Sequence, residues 1–198
     1  MFLFVTSIEA IPSPAPRAGA AANVFLAVLP DARAREQAAE LGKNLCAAHG
    51  LKGKLIRPEH LHVSLHPVFD CGGRESEAIA RAMDAAARIT TPSFDVSFDV
   101  AGSFFARSGR YPFVLKAYDG VDRLKAFRRA LGTEMIRAGL SDCVRASHTP
   151  HMTLIWADRR IEDCPVLPIR WSVRAFVLIR SFVGQTRHEH LASWSLNG

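Results

Sequence analysis

The chain has 198 residues, of which 48% are hydrophobic and 22% are charged, and this balance is ordinary for a globular protein and excludes a disordered one. Its length suits one domain with a sizeable core, and no apolar run approaches the roughly 20 residues of a membrane-spanning helix. The formal net charge of +6 favours anionic partners, because a positive field concentrates phosphates near a protein surface.

The first 22 residues are predicted to form a flexible tail outside the fold. Their short apolar run has no basic residue before it and is too brief for a secretory signal. Prolines at positions 12, 14 and 16 then favour an extended arm. The four cysteines are scattered without a Cys-x-x-Cys pair, so neither a disulfide framework nor a thiolate zinc site is predicted. These features predict a single domain over residues 23–198, with the reducing cytoplasm as its setting.

Residues 23–29, with the sequence NVFLAVL, have the short apolar pattern of a buried strand. Asp31 is placed to cap a helix over residues 32–48, and Gly50 is placed to end it. The segment HLHVSLHPVF then alternates as a strand does, so its polar side chains are predicted to share one face. Those side chains belong to His60, His62, Ser64 and His66.

A shift of 89 positions, the separation between His62 and His151, superimposes a second strand-helix-strand unit on the first. Residues 24–29 of the first strand fall on FVLKAY at residues 113–118, and the helix falls on a second helical segment. The motif LHVSL falls on PHMTL, so Ser64 corresponds to Thr153. A histidine and a hydroxyl two residues apart leave the same face of a strand. If the two units pack about a pseudo-twofold axis, the two pairs face each other across one cleft.

The remaining segments complete an α+β pattern. Residues 75–89 have helical periodicity, SFDVSFDVAG alternates as a strand, and the C-terminal region supplies closing strands. The irregular connections favour antiparallel sheets over a doubly wound parallel sheet. The predicted fold is therefore α+β and bilobed, with two pseudo-symmetric strand-helix-strand units whose antiparallel sheets face a central cleft.

Two opposed imidazoles suit a displacement that needs one general acid and one general base, each worth roughly 10²–10⁴ in rate. A hydroxyl beside each imidazole can donate a hydrogen bond to a non-bridging phosphate oxygen as charge builds up. Phosphoryl chemistry fits this set of groups. No Walker A sequence, His-Glu-x-x-His motif or carboxylate cluster accompanies them in the sequence, so neither a metal nor a cofactor is predicted.

The segments RPEHLHVSLHPV and HTPHMTLIW resemble the paired His-x-Thr/Ser-x tetrapeptides of the 2H phosphoesterase superfamily. The similarity is to its branch of 2′-5′ RNA ligase-like proteins and RNA 2′,3′-cyclic phosphodiesterases, and it runs from about Asn23 to the C terminus. It includes the Arg-Pro-Glu before the first motif, the Thr-Pro before the second, and LIRSFVG near the end. The family often has Asn at the position of His60 and an aromatic residue at that of His188, so substrate contacts can differ here.

This resemblance implies metal-independent hydrolysis of a 2′,3′-cyclic phosphate to a 2′-phosphomonoester in a V-shaped cleft, and such a phosphate requires the 2′ hydroxyl of RNA. By the family pattern, His62 is the proton donor to the departing 3′ oxygen and His151 is the proton acceptor that activates water. Ser64 and Thr153 would hold the phosphate oxygens, and Arg57 is a further candidate for phosphate binding. The implied partners are RNA ends or small nucleotides with a 2′,3′-cyclic phosphate, bound by a monomer.

Other functions stay open from the sequence. A close relative can act on 2′-5′ linkages or on a small cyclic nucleotide, or run the reaction as a ligase. Imidazoles also suit zinc or copper, so a metal site is an alternative of another class. An RNA-binding protein with an inactive site is a further one. The histidines of the alternative metal site are His60, His62, His66 and His151.

Overall fold

The computed structural model describes residues 22–68, 75–105, 109–117, 119–182, 185 and 187–197. The helices in these ranges are α1 (Ala32–His49), α2 (Glu75–Ala87) and α3 (Asp122–Arg137). The strands are β1 (Ala22–Val28), β2 (Gly53–Leu55), β3 (Val63–Pro67), β4 (Phe94–Ser103), β5 (Tyr111–Lys116), β6 (His151–Ala157), β7 (Cys164–Val173), β8 (Ala175–Phe182) and β9 (Arg187–Ser195). The predicted tail lies outside the described residues, apart from Ala22, which begins β1.

The helices form where the sequence predicts them. Asp31 accepts a hydrogen bond from the backbone N–H of Ala34 at 2.8 Å, which satisfies a donor left open at the start of α1. Gly50 ends α1 with a φ of 56°, a conformation that side chains disfavour. The helix predicted over residues 75–89 is observed as α2 and ends slightly earlier. No helix in the described part of the chain is long and apolar enough to cross a membrane.

The described strands form one sheet in the order β7-β4-β5-β6-β3-β1-β8-β9, with β2 paired to β6. All of these strand pairs are antiparallel, which confirms the predicted α+β class with antiparallel pairing. The two predicted sheets are the halves of this one sheet. They meet where β3 pairs with β6 at a single position, Val63 opposite Met152. We call this narrow junction the seam.

The repeat of 89 residues is present in the structure. One strand-helix-strand unit consists of β1, α1 and β3, and the other consists of β5, α3 and β6. In each unit the two strands pair directly and antiparallel. Because β3 and β6 occupy the same place in their units, their pairing at the seam brings the two histidine motifs to one location.

The main hydrophobic core lies between the three helices and the sheet. Its largest buried side chains include Phe98, Phe113, Phe127 and Phe176. Val63 and Met152 at the seam are 0% exposed and belong to this core. Side chains alternate along a strand, so the residues on either side of this pair point to the opposite face of the sheet, away from the helices.

His66 does not share the face of His62, which corrects the prediction from alternation. The register between β1 and β3 skips Leu65, which is therefore an extra residue in β3. Such a β-bulge reverses the alternation beyond Ser64 and turns His66 into the core, where it is 1% exposed. Its Nε2 lies 2.9 Å from the backbone oxygen of Arg128 in α3, so His66 has a structural role.

At one cysteine the structure differs from the prediction of no disulfide framework. Cys143, buried in a short 3₁₀ turn at Ser141–Cys143, is disulfide-bonded. The scattered cysteines of the sequence did not predict this bond, because sequence spacing alone carries no information on which thiols come close in space. Cys46 and Cys164 are free.

Candidate active site

The two histidine motifs meet at the seam. The antiparallel register there places His62 across from Thr153. It also places Ser64 across from His151. All four side chains are partly buried on the face of the sheet away from the helices. The structure therefore brings together the four motif residues that the repeat predicts to share one site.

The same hydrogen bond orients each imidazole. Nδ1 of His62 lies 2.7 Å from the backbone oxygen of His60, and Nδ1 of His151 lies 2.8 Å from that of Thr149. A carbonyl oxygen only accepts hydrogen bonds, so Nδ1 carries a proton in both rings. Nε2 is then an acceptor in the neutral ring and a second donor in the charged ring. Each histidine can therefore exchange a proton through Nε2.

A phenylalanine packs against each of these imidazoles. Phe25 of β1 stacks on His62, with ring centroids 4.9 Å apart. Phe104 meets the ring of His151 edge-on, with centroids 4.8 Å apart. These apolar contacts restrict rotation of the two rings and exclude water from one side of each. The hydrogen bond to the backbone and the aromatic contact together hold each imidazole in one orientation.

Both imidazoles have a pKa below the ordinary value for histidine. The largest cause is burial, which disfavours the charged ring. The hydrogen bond to a backbone oxygen raises each pKa in part, and a neighbouring positive charge lowers it. That neighbour is His151 for His62 and Lys116 for His151. The positive charge of Lys116 therefore favours the neutral form of His151. Lys116 also forms an ion pair with Asp163 at 2.8 Å.

A cleft of about 490 Å³ opens onto the seam and reaches His62, Ser64 and Thr153. Basic and large aromatic side chains also line it, namely Lys54, Arg57, Arg110, Phe25, Trp156 and Phe182. No carboxylate is among the described residues that line this cleft. Positive charge beside aromatic rings suits an anion that is attached to a planar group.

Arg57 lines the wall of the cleft, which is the position that its predicted contact with a phosphate requires. Its Nε lies 3.2 Å from the carboxylate of Glu59, and its Nη2 lies 3.2 Å from Nε2 of His60. His60 belongs to a 3₁₀ turn at Pro58–His60 rather than to a strand, which corrects its predicted place. Its ring nevertheless lines the same cleft as His62.

Two histidines to which the sequence assigned no catalytic role lie beside the motif histidines. His188 of β9 stacks on His60 with ring centroids 4.1 Å apart, and it meets His62 edge-on at 5.6 Å. His148, which precedes β6, has its ring centroid 5.6 Å from that of His151. Burial is the largest cause that lowers the pKa of each to about 4. Both rings are therefore neutral near pH 7.

The four histidines of the alternative metal site are not all brought together, since His66 lies in the core on the helix side of the sheet. In the described ranges, no group of three or more His, Cys, Asp or Glu side chains is arranged to hold a metal ion. Imidazole pairs and hydroxyls, rather than carboxylates, are the chemical groups that this site presents.

The sequence matches the family model of the 2′-5′ RNA ligase superfamily over residues 29–182. This chain belongs to that superfamily. The match spans both histidine motifs and the second strand-helix-strand unit, whereas β1 with Phe25 lies before the matched residues and His188 lies after them. It confirms the resemblance that the paired motifs indicate.

Solved structures share the fold of this superfamily member. E. coli LigT complexed with NADP+ is 25% identical, with a TM-score of 0.66 over 89% of this chain and 98% of that chain. E. coli LigT complexed with 3′-AMP is 24% identical, with a TM-score of 0.67 over the same shares. TT0787 of Thermus thermophilus is 22% identical, with a TM-score of 0.63, again over 89% and 98%. No curated protein matches the chain in sequence.

Proposed function

We propose that this protein hydrolyses RNA 2′,3′-cyclic phosphate ends to 2′-phosphomonoesters without a metal ion. One observation carries the proposal: two imidazoles at the seam each bind a backbone oxygen through Nδ1 and keep Nε2 for proton transfer. Each faces a hydroxyl of the other motif across the strand pair. Hydrolysis of a phosphodiester needs a base for water, an acid for the leaving oxygen and donors for the phosphate oxygens.

In the proposed reaction, Nε2 of neutral His151 accepts a proton from water while the water oxygen attacks phosphorus. The bond from phosphorus to the 3′ oxygen breaks, and this oxygen takes a proton from Nε2 of charged His62. The bond to the 2′ oxygen stays, so the product is a 2′-phosphomonoester with a free 3′ hydroxyl. Ser64 and Thr153 donate hydrogen bonds to the non-bridging oxygens. His151 gains one proton and His62 loses one, and exchange with solvent restores both.

The cleft supports a nucleotide as the substrate. Lys54, Arg57 and Arg110 offset the charge of a phosphate, and the aromatic side chains of the wall offer faces for a base. E. coli LigT has been crystallised with 3′-AMP, with ATP and with NADP+, so nucleotides bind to a protein of this fold. A 2′,3′-cyclic phosphate exists only where a 2′ hydroxyl is present, which selects RNA over DNA.

The direct test is a panel of substrates given to the purified protein. It contains RNA oligonucleotides with a 2′,3′-cyclic phosphate, the matching cyclic mononucleotides, 2′-5′ linked dinucleotides and a 3′,5′-cyclic nucleotide. We expect turnover of the 2′,3′-cyclic ends, with the phosphate of the product on the 2′ oxygen. Turnover restricted to 2′-5′ linkages or to the 3′,5′-cyclic nucleotide would contradict the proposal and favour the corresponding alternative.

Activity is expected to survive chelation of metal ions. The proposed acid, base and phosphate donors are all side chains, so removal of divalent ions leaves every step in place. The measurement compares kcat and KM before and after dialysis against EDTA, with metal analysis of the sample used. Loss of activity that one added divalent ion restores would show metal-ion catalysis instead.

Ser64→Ala and Thr153→Ala are each expected to lower kcat/KM roughly tenfold, the lower end of the range for one hydrogen bond to a charged group. Each variant loses a donor to the phosphate but keeps both imidazoles. Ser181→Ala is the matched control, because Ser181 lines the same cleft outside the motifs. Equal effects of all three substitutions would argue against a specific role for the two motif hydroxyls.

A further inference from the structure

A second cavity, of about 420 Å³, lies beside the catalytic cleft. The stacked rings of His60 and His188 line both spaces and form the wall between them. The side chains of Arg35 from α1 and His190 from β9 also line the second cavity. A substrate longer than one nucleotide can therefore extend from the cleft past this wall.

Arg35 has donors that the fold does not use. Its buried Nε has no hydrogen-bond partner, and within the described residues its guanidinium makes a single long hydrogen bond, from Nη2 to the backbone oxygen of Pro30 at 3.4 Å. A guanidinium has five N–H donors, and unsatisfied donors in partly buried surroundings are costly. Such an arginine is suited to binding a phosphate, which accepts hydrogen bonds and carries the opposite charge.

The carboxylates of the second cavity are paired with other cations. Glu59 lies 3.2 Å from Nε of Arg57. Glu189 is almost fully buried and lies 3.3 Å from Nη1 of Arg180. Their charge is therefore largely offset at these contacts. Among the described residues Arg35 has no carboxylate in ion-pair contact, and its charge acts on Glu59 only as the weakest of the causes that lower the pKa of that carboxyl.

The positive charge of Arg35 affects the pKa of His190. Burial lowers the pKa of His190 most, and the positive charge of Arg35 lowers it further. Two donors that repel each other when both are charged gain from an anion between them, because its negative charge offsets the repulsion. The arrangement of Arg35 and His190 beside the shared wall is thus complementary to a phosphate.

We propose that the second cavity binds a phosphodiester of the RNA chain next to the terminal nucleotide, through Arg35 with His190. This proposal rests on the proposed function and names its substrate class: oligonucleotides with a 2′,3′-cyclic end bind more tightly than the cyclic mononucleotide. The mononucleotide fills the catalytic cleft alone and has no phosphate that reaches Arg35.

The test compares cytidine 2′,3′-cyclic phosphate with a tetranucleotide that ends in the same cyclic nucleotide. Wild-type protein is expected to have a lower KM for the tetranucleotide. Arg35→Gln should raise that KM roughly tenfold, the size of one charge-assisted hydrogen bond, and leave the KM for the mononucleotide unchanged. It should also reduce the slope of log kcat/KM against log salt by about 0.7, as expected for one lost contact to a single strand.

Arg33→Gln is the matched control, since Arg33 is an exposed residue of the same helix and the substitution makes the same change in charge. It should leave both KM values as in the wild type. If Arg35→Gln does not fold, His190→Ala on the exposed surface of β9 gives the second test, with a smaller rise in KM for the tetranucleotide alone.

The outcomes separate this proposal from the proposed function. Hydrolysis of both substrates with equal KM, or a rise in KM for both in Arg35→Gln, would overturn the second phosphate site and leave the reaction intact. No hydrolysis of either substrate by the wild type would overturn the proposed function itself.

Discussion

Replacement of His62 or His151 by alanine is expected to lower kcat on an RNA with a 2′,3′-cyclic end by roughly 10²–10⁴, the usual contribution of a general acid or base. Each imidazole is held by a backbone oxygen at Nδ1 and by a phenylalanine, so its Nε2 has a fixed position for the proton transfer that we propose. Alanine removes that Nε2. A water molecule in its place is not held in a fixed position, and its pKa is far from the operating pH. The measurement is kcat by single-turnover kinetics, which isolates chemistry from product release.

His49→Ala is the control for loss of an imidazole, because His49 lies at the C-terminal end of α1 and outside the cleft. Its turnover should equal that of the wild type. His66→Ala is a second comparison with a different expectation, since it deletes a buried ring that contacts Arg128 and should lower stability more than chemistry. A folded His62→Ala or His151→Ala variant with the turnover of wild type would remove that residue from the mechanism.

The parts of the site that depend on local pattern could be predicted from the sequence. The shift that relates His62 to His151 also relates two strands and two helices, because strand and helix periodicity is written in consecutive residues. The cap at Asp31 and the positive φ at Gly50 follow from the same short-range chemistry. The location of both motifs at one seam follows from the equivalence of the two units.

The position of His66 could not be predicted, because it depends on a mismatch between two strands. Simple alternation places His66 beside His62, but β1 pairs with β3 around the extra residue Leu65. A bulge of this kind is decided by the partner strand and by packing against α3, neither of which a single segment reveals. His60 differs for a local reason: Pro58 begins a 3₁₀ turn there, since proline favours the first position of a helical turn.

The contacts of His188 also could not be predicted from the sequence. It stacks on His60 although β9 is far along the chain from the first motif, and three intervening strand pairings, from β3 to β1, β8 and β9, decide that meeting. No periodicity within β9 contains this information. The same holds for Arg35 and His190, which come from α1 and β9 and meet only in the folded chain.

A cyclic phosphate with sulfur in place of the 3′ bridging oxygen is expected to restore most of the turnover lost in His62→Ala and none of that lost in His151→Ala. A thiol has a pKa of about 8.5, far below that of a sugar hydroxyl, so the sulfur leaves as a thiolate and needs no proton from an acid. Attack by water still needs a base, whichever atom leaves. The two substrates differ by one atom, so binding in the cleft stays comparable, and the ratio of their kcat values in each variant gives the result.

The pH dependence on these two substrates supplies an independent check on the roles. With the oxygen-bridged substrate, kcat/KM should follow a bell, because the proposed reaction needs neutral His151 and charged His62. Burial lowers the pKa of both rings, so the bell should be centred below about 6.5, the ordinary midpoint of histidine. With the sulfur substrate the requirement for charged His62 disappears, and activity should rise as His151 loses its proton and then stay level at higher pH. Rescue of His151→Ala instead of His62→Ala would reverse the two roles, and rescue of neither would exclude acid catalysis by this pair.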